Sequence, residues 1–152
     1  MQLTDILSID GISLDVDCKS KKQLFQHLSS VAEASGGIDK SVVFEAISER
    51  EKLGCTDLGS GVAIPHGKIC DVETCQLIFT RLSTPIDFEA DEPVQLVFCL
   101  LGCENAKIEP VKIVSRISRL VADPVFRSEL LSATSAEEVF GIITNERLLQ
   151  AA

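Results

Sequence analysis

The stretch VQLVFCLLG, residues 94–102, decides the architecture. Its centre, Leu96-Val97-Phe98-Cys99-Leu100-Leu101, is apolar without a break. A strand with one face in water alternates apolar and polar residues, whereas a strand covered on both faces does not. This run therefore reads as a central strand with a layer of structure on each side. Gly102 closes it, and beyond that glycine the pattern changes period. Val111, Val114, Ile117, Leu120 and Val121 form a helical stripe, with Lys112, Arg116 and Arg119 left for solvent. Pro124 restarts a short helix through Phe126, Leu130 and Leu131, and Thr134 or Ser135 caps a last one supported by Glu137 and Glu138.

On the other side of the run, Gln76 to Leu82 is strongly strand-like. Val62-Ala63-Ile64 is a very short strand ending at Pro65, and Gly54 to Gly61 is a glycine-punctuated loop. Lys40 to Lys52 reads as a helix with Val43, Phe44 and Ile47 inward and Arg50 near its C-terminal end. Ser20-Lys21-Lys22-Gln23 is a capping box for an earlier helix, whose apolar side is Leu24, Phe25, Leu28, Val31 and Ala32 and which Gly36-Gly37 stops. Ile12, Leu14 and Val16 alternate as in a strand, after a short apolar turn at Leu3, Ile6 and Leu7. Mixed strands and helices in this order predict an α/β fold with helices on both faces of one sheet, in a single domain over residues 1–152.

Composition bounds the function. The chain has 152 residues, 45% of them hydrophobic and 24% charged, and a net charge of −9. That acidic balance argues against non-specific nucleic-acid binding, because phosphates are repelled. No apolar run approaches the roughly 18 residues that span a bilayer. The N-terminus, MQLTDILSID, lacks the basic and apolar segments of a secretory signal, so a cytoplasmic protein without membrane insertion is expected. Six cysteines are present, none in a Cys-x-x-Cys pair and none with a histidine at ligand spacing. They read as small buried or half-buried thiols, and neither a metal nor a cofactor is expected.

Two histidines occur. His27 falls inside the first helix, on or beside its apolar stripe, and reads as a satisfied structural or surface residue. His66 lies in LGSGVAIPHGK, residues 58–68, between a proline and a glycine. A metal ligand would need partners, and a triad would need a nucleophile elbow; neither Ser60 nor Cys55 sits in one. A nucleophilic imidazole that accepts a phosphoryl group needs its other nitrogen held, donors for the phosphoryl oxygens and access for a donor protein. Glycine-rich backbone and Arg50 offer those donors, and Leu58, Ile64 and Ile69 are candidates for a shallow apolar rim. From the residues alone the same stretch also reads as a structural histidine among turn glycines, with Arg50 complementing its helix dipole.

The run Arg50-Glu51-Lys52-Leu53-Gly54-Cys55-Thr56-Asp57-Leu58-Gly59-Ser60-Gly61-Val62-Ala63-Ile64-Pro65-His66-Gly67 resembles the active-site signature of the type-2 (fructose/mannitol/nitrogen) enzyme IIA domains of the bacterial phosphotransferase system. The resemblance extends along essentially the whole chain: Thr84 to Phe88 resembles the family's run between two strands, Pro93 to Leu101 its central strand and Val111 to Val121 the helix that follows. It implies a mixed five-stranded sheet with helices on both sides. It implies phosphoryl relay, with His66 as acceptor and Arg50 beside the phosphohistidine; beside these, Thr56, Ser60, Gly61 and Gly67 are candidates for binding the phosphoryl group. The implied donor is a histidine phosphocarrier protein (HPr/NPr-like). The chain is most similar to the nitrogen-regulatory branch, which implies regulation of targets such as potassium-transport or nitrogen-control components according to phosphorylation state. A non-transferring interaction module of the same fold and a sugar-specific enzyme IIA are the alternatives. Two positions depart from the family pattern: Cys55 stands where serine is usual, and Pro110 stands at the place of a second histidine, with Lys112 nearby as a substitute charge.

Overall fold

The computed structural model describes residues 3–70, 75–103 and 110–145. A turn of 3-10 helix at Leu3–Asp5 leads into β1 (Leu7–Val16), α1 (Lys21–Gly36) and α2 (Lys40–Lys52). Three short strands follow, β2 (Asp57–Gly59), β3 (Val62–Ala63) and β4 (His66–Ile69), then the long strands β5 (Gln76–Ile86) and β6 (Val94–Cys103). Helices α3 (Pro110–Val121), α4 (Pro124–Ser132) and α5 (Ala136–Ile143) complete the described chain.

The sheet has six strands in the order β1-β5-β6-β3-β2, with β4 also on β6. β6 is its centre. β5 runs antiparallel along one edge, with Ile78 opposite Cys99 and Phe79 opposite Phe98. β3 and β4 run parallel along the other. Both faces of β6 are sealed, as the unbroken apolar run requires. Leu96, Phe98 and Leu100 pack with Ile113, Ile117, Phe126, Leu130, Val139 and Ile143 of α3, α4 and α5. Val97, Cys99 and Leu101 pack on the opposite face with Leu24, Phe25, Leu28, Val43 and Ile47 of α1 and α2.

Local signals set most helix ends. Ser20 caps α1 by accepting from Gln23 N, and Gln23 accepts in return from Lys19 N, one residue before the cap. Gly37 closes the helix at φ 72°, its N–H bonded to Glu33 O. Ser135 caps α5, while Glu138 accepts from the Thr134 N–H and hydroxyl.

Four expectations change. The loop from Gly54 to Gly61 contains β2, which pairs antiparallel with β3. The strand from Gln76 continues past Leu82 to Ile86, taking in Thr84 and Pro85. The stripe of α3 starts at Ile113, which is buried, rather than at Val111, which is 71% exposed; Val114, Ile117, Leu120 and Val121 face the core as expected. The alternation in β1 is broken by a bulge at Asp15, φ 54°. Leu14 therefore joins the core under α3–α5, whereas Val16 joins the core under α1 and α2. Arg81 explains what the bulge does. Its Nη2 donates to Asp15 Oδ1 at 3.0 Å, and its Nη1 donates to the carbonyls of Leu130, Leu131 and Ala133. A buried guanidinium on β5 thus satisfies the orphan carbonyls at the end of α4.

His27 also departs from its expected role. Its Nε2 is buried without a hydrogen-bond partner among the described residues, so the ring is not satisfied. Burial pushes its pKa below the ordinary 6.5. The unfolded chain then takes up a proton that the folded chain refuses. Stability is undiminished above about pH 6.5 and falls as the pH drops through that value. Urea denaturation at pH 7.5 and 5.5 is expected to show the loss, and His27→Leu is expected to reduce the difference between the two pH values.

Candidate functional site

His66 owes its position to a strand that proline interrupts without shifting. Val62 is registered with Leu96 and His66 with Leu100, the same offset on both sides of the gap. Pro65 has no N–H to give the ladder, but its carbonyl accepts from Leu100 N at 3.0 Å. Residues alternate in direction along a strand, so the polar groups of Ile64 face away from β6. Ile64 N donates to Thr56 O at 2.9 Å. The Ile64 carbonyl lies past the paired part of β2, and the His66 ring fills that vacancy: Nδ1 lies 2.9 Å from Ile64 O. His66 is thus the first residue of a strand rather than the residue after one.

The second ring nitrogen meets Arg50. Arg50 Nε donates to His66 Nε2 at 3.2 Å, and Arg50 Nη1 donates to Gly54 O at 3.1 Å. A guanidinium only donates. Nε2 must therefore offer a lone pair, and the proton of a neutral ring sits on Nδ1, donated to the Ile64 carbonyl. The two contacts select one tautomer, with its unprotonated nitrogen facing the guanidinium. Both side chains are half-buried.

Arg50 reaches the ring from the other face of the sheet. His66 shares the side of Leu100, toward α3, whereas α2 packs on the reverse side. Among the described residues β4 has no strand neighbour besides β6, so the arginine passes round an open edge. Close packing of α2 makes this possible. A Cβ on Gly67 would lie 3.0 Å from the Ala46 backbone carbon and Cβ. Arg50 is one helical turn beyond Ala46. Gly67→Ala is expected to push α2 off β4 and to cost about 1–3 kcal/mol in chemical denaturation.

The other anticipated residues are placed differently. Thr56 is buried, and its hydroxyl donates to Glu51 Oε1 at 2.5 Å while its N–H donates to Glu51 Oε2 at 3.0 Å. The structure does not bring Ser60 and Gly61 to the ring. Gly61 O accepts from Gln95 N and Leu96 N, whereas His66 is registered with Leu100. Five residues along a strand is about 16 Å. The positive φ angles of Gly59, Ser60 and Gly61 (81°, 55° and 80°) instead make the tight β2–β3 turn. Ile64 and Ile69, each 2% exposed, are core residues on opposite faces rather than a rim; Leu58 is half-buried against the core.

Cys55 is exposed and directs its thiol to Phe88 O at 3.7 Å; partial desolvation raises its pKa, so it remains a protonated, weak donor. Pro110 begins α3 and packs on Gly102, whose Cβ would lie 2.7 Å from its Cγ. Gly102 is two positions beyond Leu100, on the face to which His66 also belongs. Lys112 is exposed. Among the described residues no three potential metal ligands cluster, and Cys18, Cys55, Cys70 and Cys99 are free. No helix among those residues is long and apolar enough to cross a membrane.

Sequence reading assigned no partner to Lys21 or role to Glu51, yet both are built into the site's support. Lys21 Nζ lies 2.8 Å from Glu51 Oε2, with the two side chains 16% and 7% exposed. It also lies over the Phe88 ring, 4.3 Å from the centroid. The signal available in the sequence was an unbroken Arg-Glu pair ahead of a threonine, but Lys21 is thirty residues away from Glu51.

Known proteins share this sequence and fold along nearly the whole chain. The family described as "Phosphoenolpyruvate-dependent sugar phosphotransferase system, EIIA 2" matches residues 5–146. A nitrogen regulatory protein of Bradyrhizobium diazoefficiens is 39% identical over 145 residues, covering 94% of this chain and 95% of that protein. One of Escherichia coli is 36% identical, covering 95% and 91%. The crystal structure of nitrogen regulatory protein IIA-Ntr from Neisseria meningitidis superimposes with a TM-score of 0.88 at 38% identity, over 93% of this chain and 99% of that one. The chain belongs to the type-2 enzyme IIA family of the phosphotransferase system, in its nitrogen-regulatory branch.

Proposed function

We infer that the protein accepts a phosphoryl group on Nε2 of His66 from a histidine phosphocarrier protein (HPr/NPr-like) and regulates target proteins according to its phosphorylation state. The observation that carries this reading is the double restraint on the ring: Nδ1 on Ile64 O, and Nε2 on a guanidinium donor. As Arg50 Nε–H gives up its hydrogen bond to Nε2, the freed lone pair attacks phosphorus, and the donor's P–N bond breaks with its electron pair returning to the donor ring. The proton stays on His66 Nδ1, donated to the Ile64 carbonyl, which stabilises the charge that the ring gains. Once phosphorus occupies Nε2, the Arg50 Nε–H loses its acceptor and finds phosphoryl oxygens in its place. Nη1, tied to Gly54 O, keeps the guanidinium there.

The regulatory half of the reading follows from charge. A phosphoryl group adds about −2 at an open sheet edge. A partner that packs over His66 in one state meets a different potential in the other. By its branch, the targets are potassium-transport or nitrogen-control components rather than a sugar permease. The free thiols of Cys18, Cys55, Cys70 and Cys99 among the described residues fit the reducing conditions of the cytoplasm.

The test is incubation with phosphoenolpyruvate, the upstream kinase and the carrier. One acid-labile, alkali-stable phosphoryl group per chain is expected. An unlabelled protein, in an assay that labels a related enzyme IIA, defeats the proposal. Target capture that is the same for both phosphorylation states defeats its regulatory half.

A further inference from the structure

The geometry points to Glu51 as the positioning residue of this site: clamped by Lys21 and Thr56, it holds the backbone carbonyl that selects the His66 tautomer and the helix end that carries Arg50. This rests on reading His66 as the phosphoryl acceptor.

The path is continuous in hydrogen bonds. The Glu51 carboxylate accepts from Lys21 Nζ, from Thr56 N and from the Thr56 hydroxyl. Thr56 O accepts from Ile64 N, and Ile64 O accepts from His66 Nδ1. Glu51 is also the residue after Arg50 in α2, so the same carboxylate anchors the last turn from which the guanidinium reaches Nε2. One side chain thereby acts on both ring nitrogens by separate routes without touching the ring.

The energetics fit a positioning role. Glu51 has only 7% of its side chain exposed, and a carboxylate in that setting is costly unless all its charge is met. Three donors meet it. A hydrophobic pair would hold the helix end as well, but it would not fix the direction of the Thr56 peptide. Directional acceptance of both Thr56 donors is what a carboxylate adds. The Lys21 ammonium over the Phe88 ring pins the far side of the clamp.

The experiment reads the tautomer of unphosphorylated His66 by long-range proton–nitrogen NMR correlations, alongside the rate of phosphoryl acceptance. In the parent protein the proton is expected on Nδ1. In Glu51→Gln, which keeps shape but cannot accept from the Thr56 hydroxyl through its NH2, the proton population is expected to spread to Nε2. Acceptance is expected to slow about tenfold, since small displacements of reacting groups carry costs of that order. Thr56→Val is expected to reproduce both changes, and Thr56→Ser to restore both. Lys21→Met supplies a third variant should Glu51→Gln not fold. A tautomer like the parent's in Glu51→Gln and Thr56→Val overturns the inference, as does an unchanged rate. If the parent protein takes no label, the proposed function fails, and the tautomer measurement alone still decides this point.

Discussion

A His66→Gln protein is expected to fold as the parent chain does and to take up no phosphoryl group from the carrier. The substitution suits the site. The side chain is half-buried at a strand edge, outside the buried core. A glutamine carbonyl oxygen can accept from Arg50 Nε, and its amide can donate toward Ile64 O. What it lacks is a nitrogen lone pair able to form a P–N bond. The loss should therefore be complete, with a denaturation midpoint close to the parent's. Residual label at the parental level would move the acceptor elsewhere in the chain. His27 is the other histidine, and with Nε2 buried it is not positioned for the task.

Arg50→Ala is expected to slow acceptance by about 10²–10³-fold, the usual cost of removing one fixed donor from a site of developing charge. The effect should fall on the transfer rate at saturating donor more than on the donor concentration required, because the guanidinium acts on the moving phosphoryl group. Arg50→Lys should recover little. An ammonium retains the charge, but a single point donor cannot span Gly54 O and the Nε2 position together. Rapid-quench measurement of label transfer gives the number. A rate within threefold of the parent's would remove Arg50 from the mechanism.

Much of the architecture was legible because it is local or strongly periodic. The apolar run of Leu96 to Leu101 announced a strand covered on both sides, and β6 is that strand. Lys40–Lys52 was bounded correctly from its inward apolar positions, and Gly37 stopped α1 by the left-handed turn that glycine allows. β2 and β4 were not legible. Asp57–Gly59 and His66–Ile69 carry no alternation and owe their strand character to β3 and β6. Val114, Ile117, Leu120 and Val121 were read correctly in α3, but Val111 was not, because Val111 and Ile113 are equally apolar and only the packing of Ile113 distinguishes them.

The candidate site divides the same way. The signature brought His66 and Arg50 forward together, and the structure places Arg50 Nε on His66 Nε2. Ser60 and Gly61 stand close to His66 in sequence, but an extended strand intervenes and carries them to the far end of the β6 edge. Lys21 posed the opposite problem. In sequence it is a basic residue in the first turn of a helix; in space it balances a buried carboxylate.

The unbroken register across Pro65 has a consequence for how fast a partner engages. The backbone flanking His66 is held by the middle strand of the sheet, so this segment needs no ordering when a second protein arrives. Encounter then behaves as rigid-body docking, and its rate is governed by orientation and long-range charge rather than by a folding step. For a chain of net charge −9, a basic approaching surface gains speed and an acidic one loses it, and added salt narrows the gap between them.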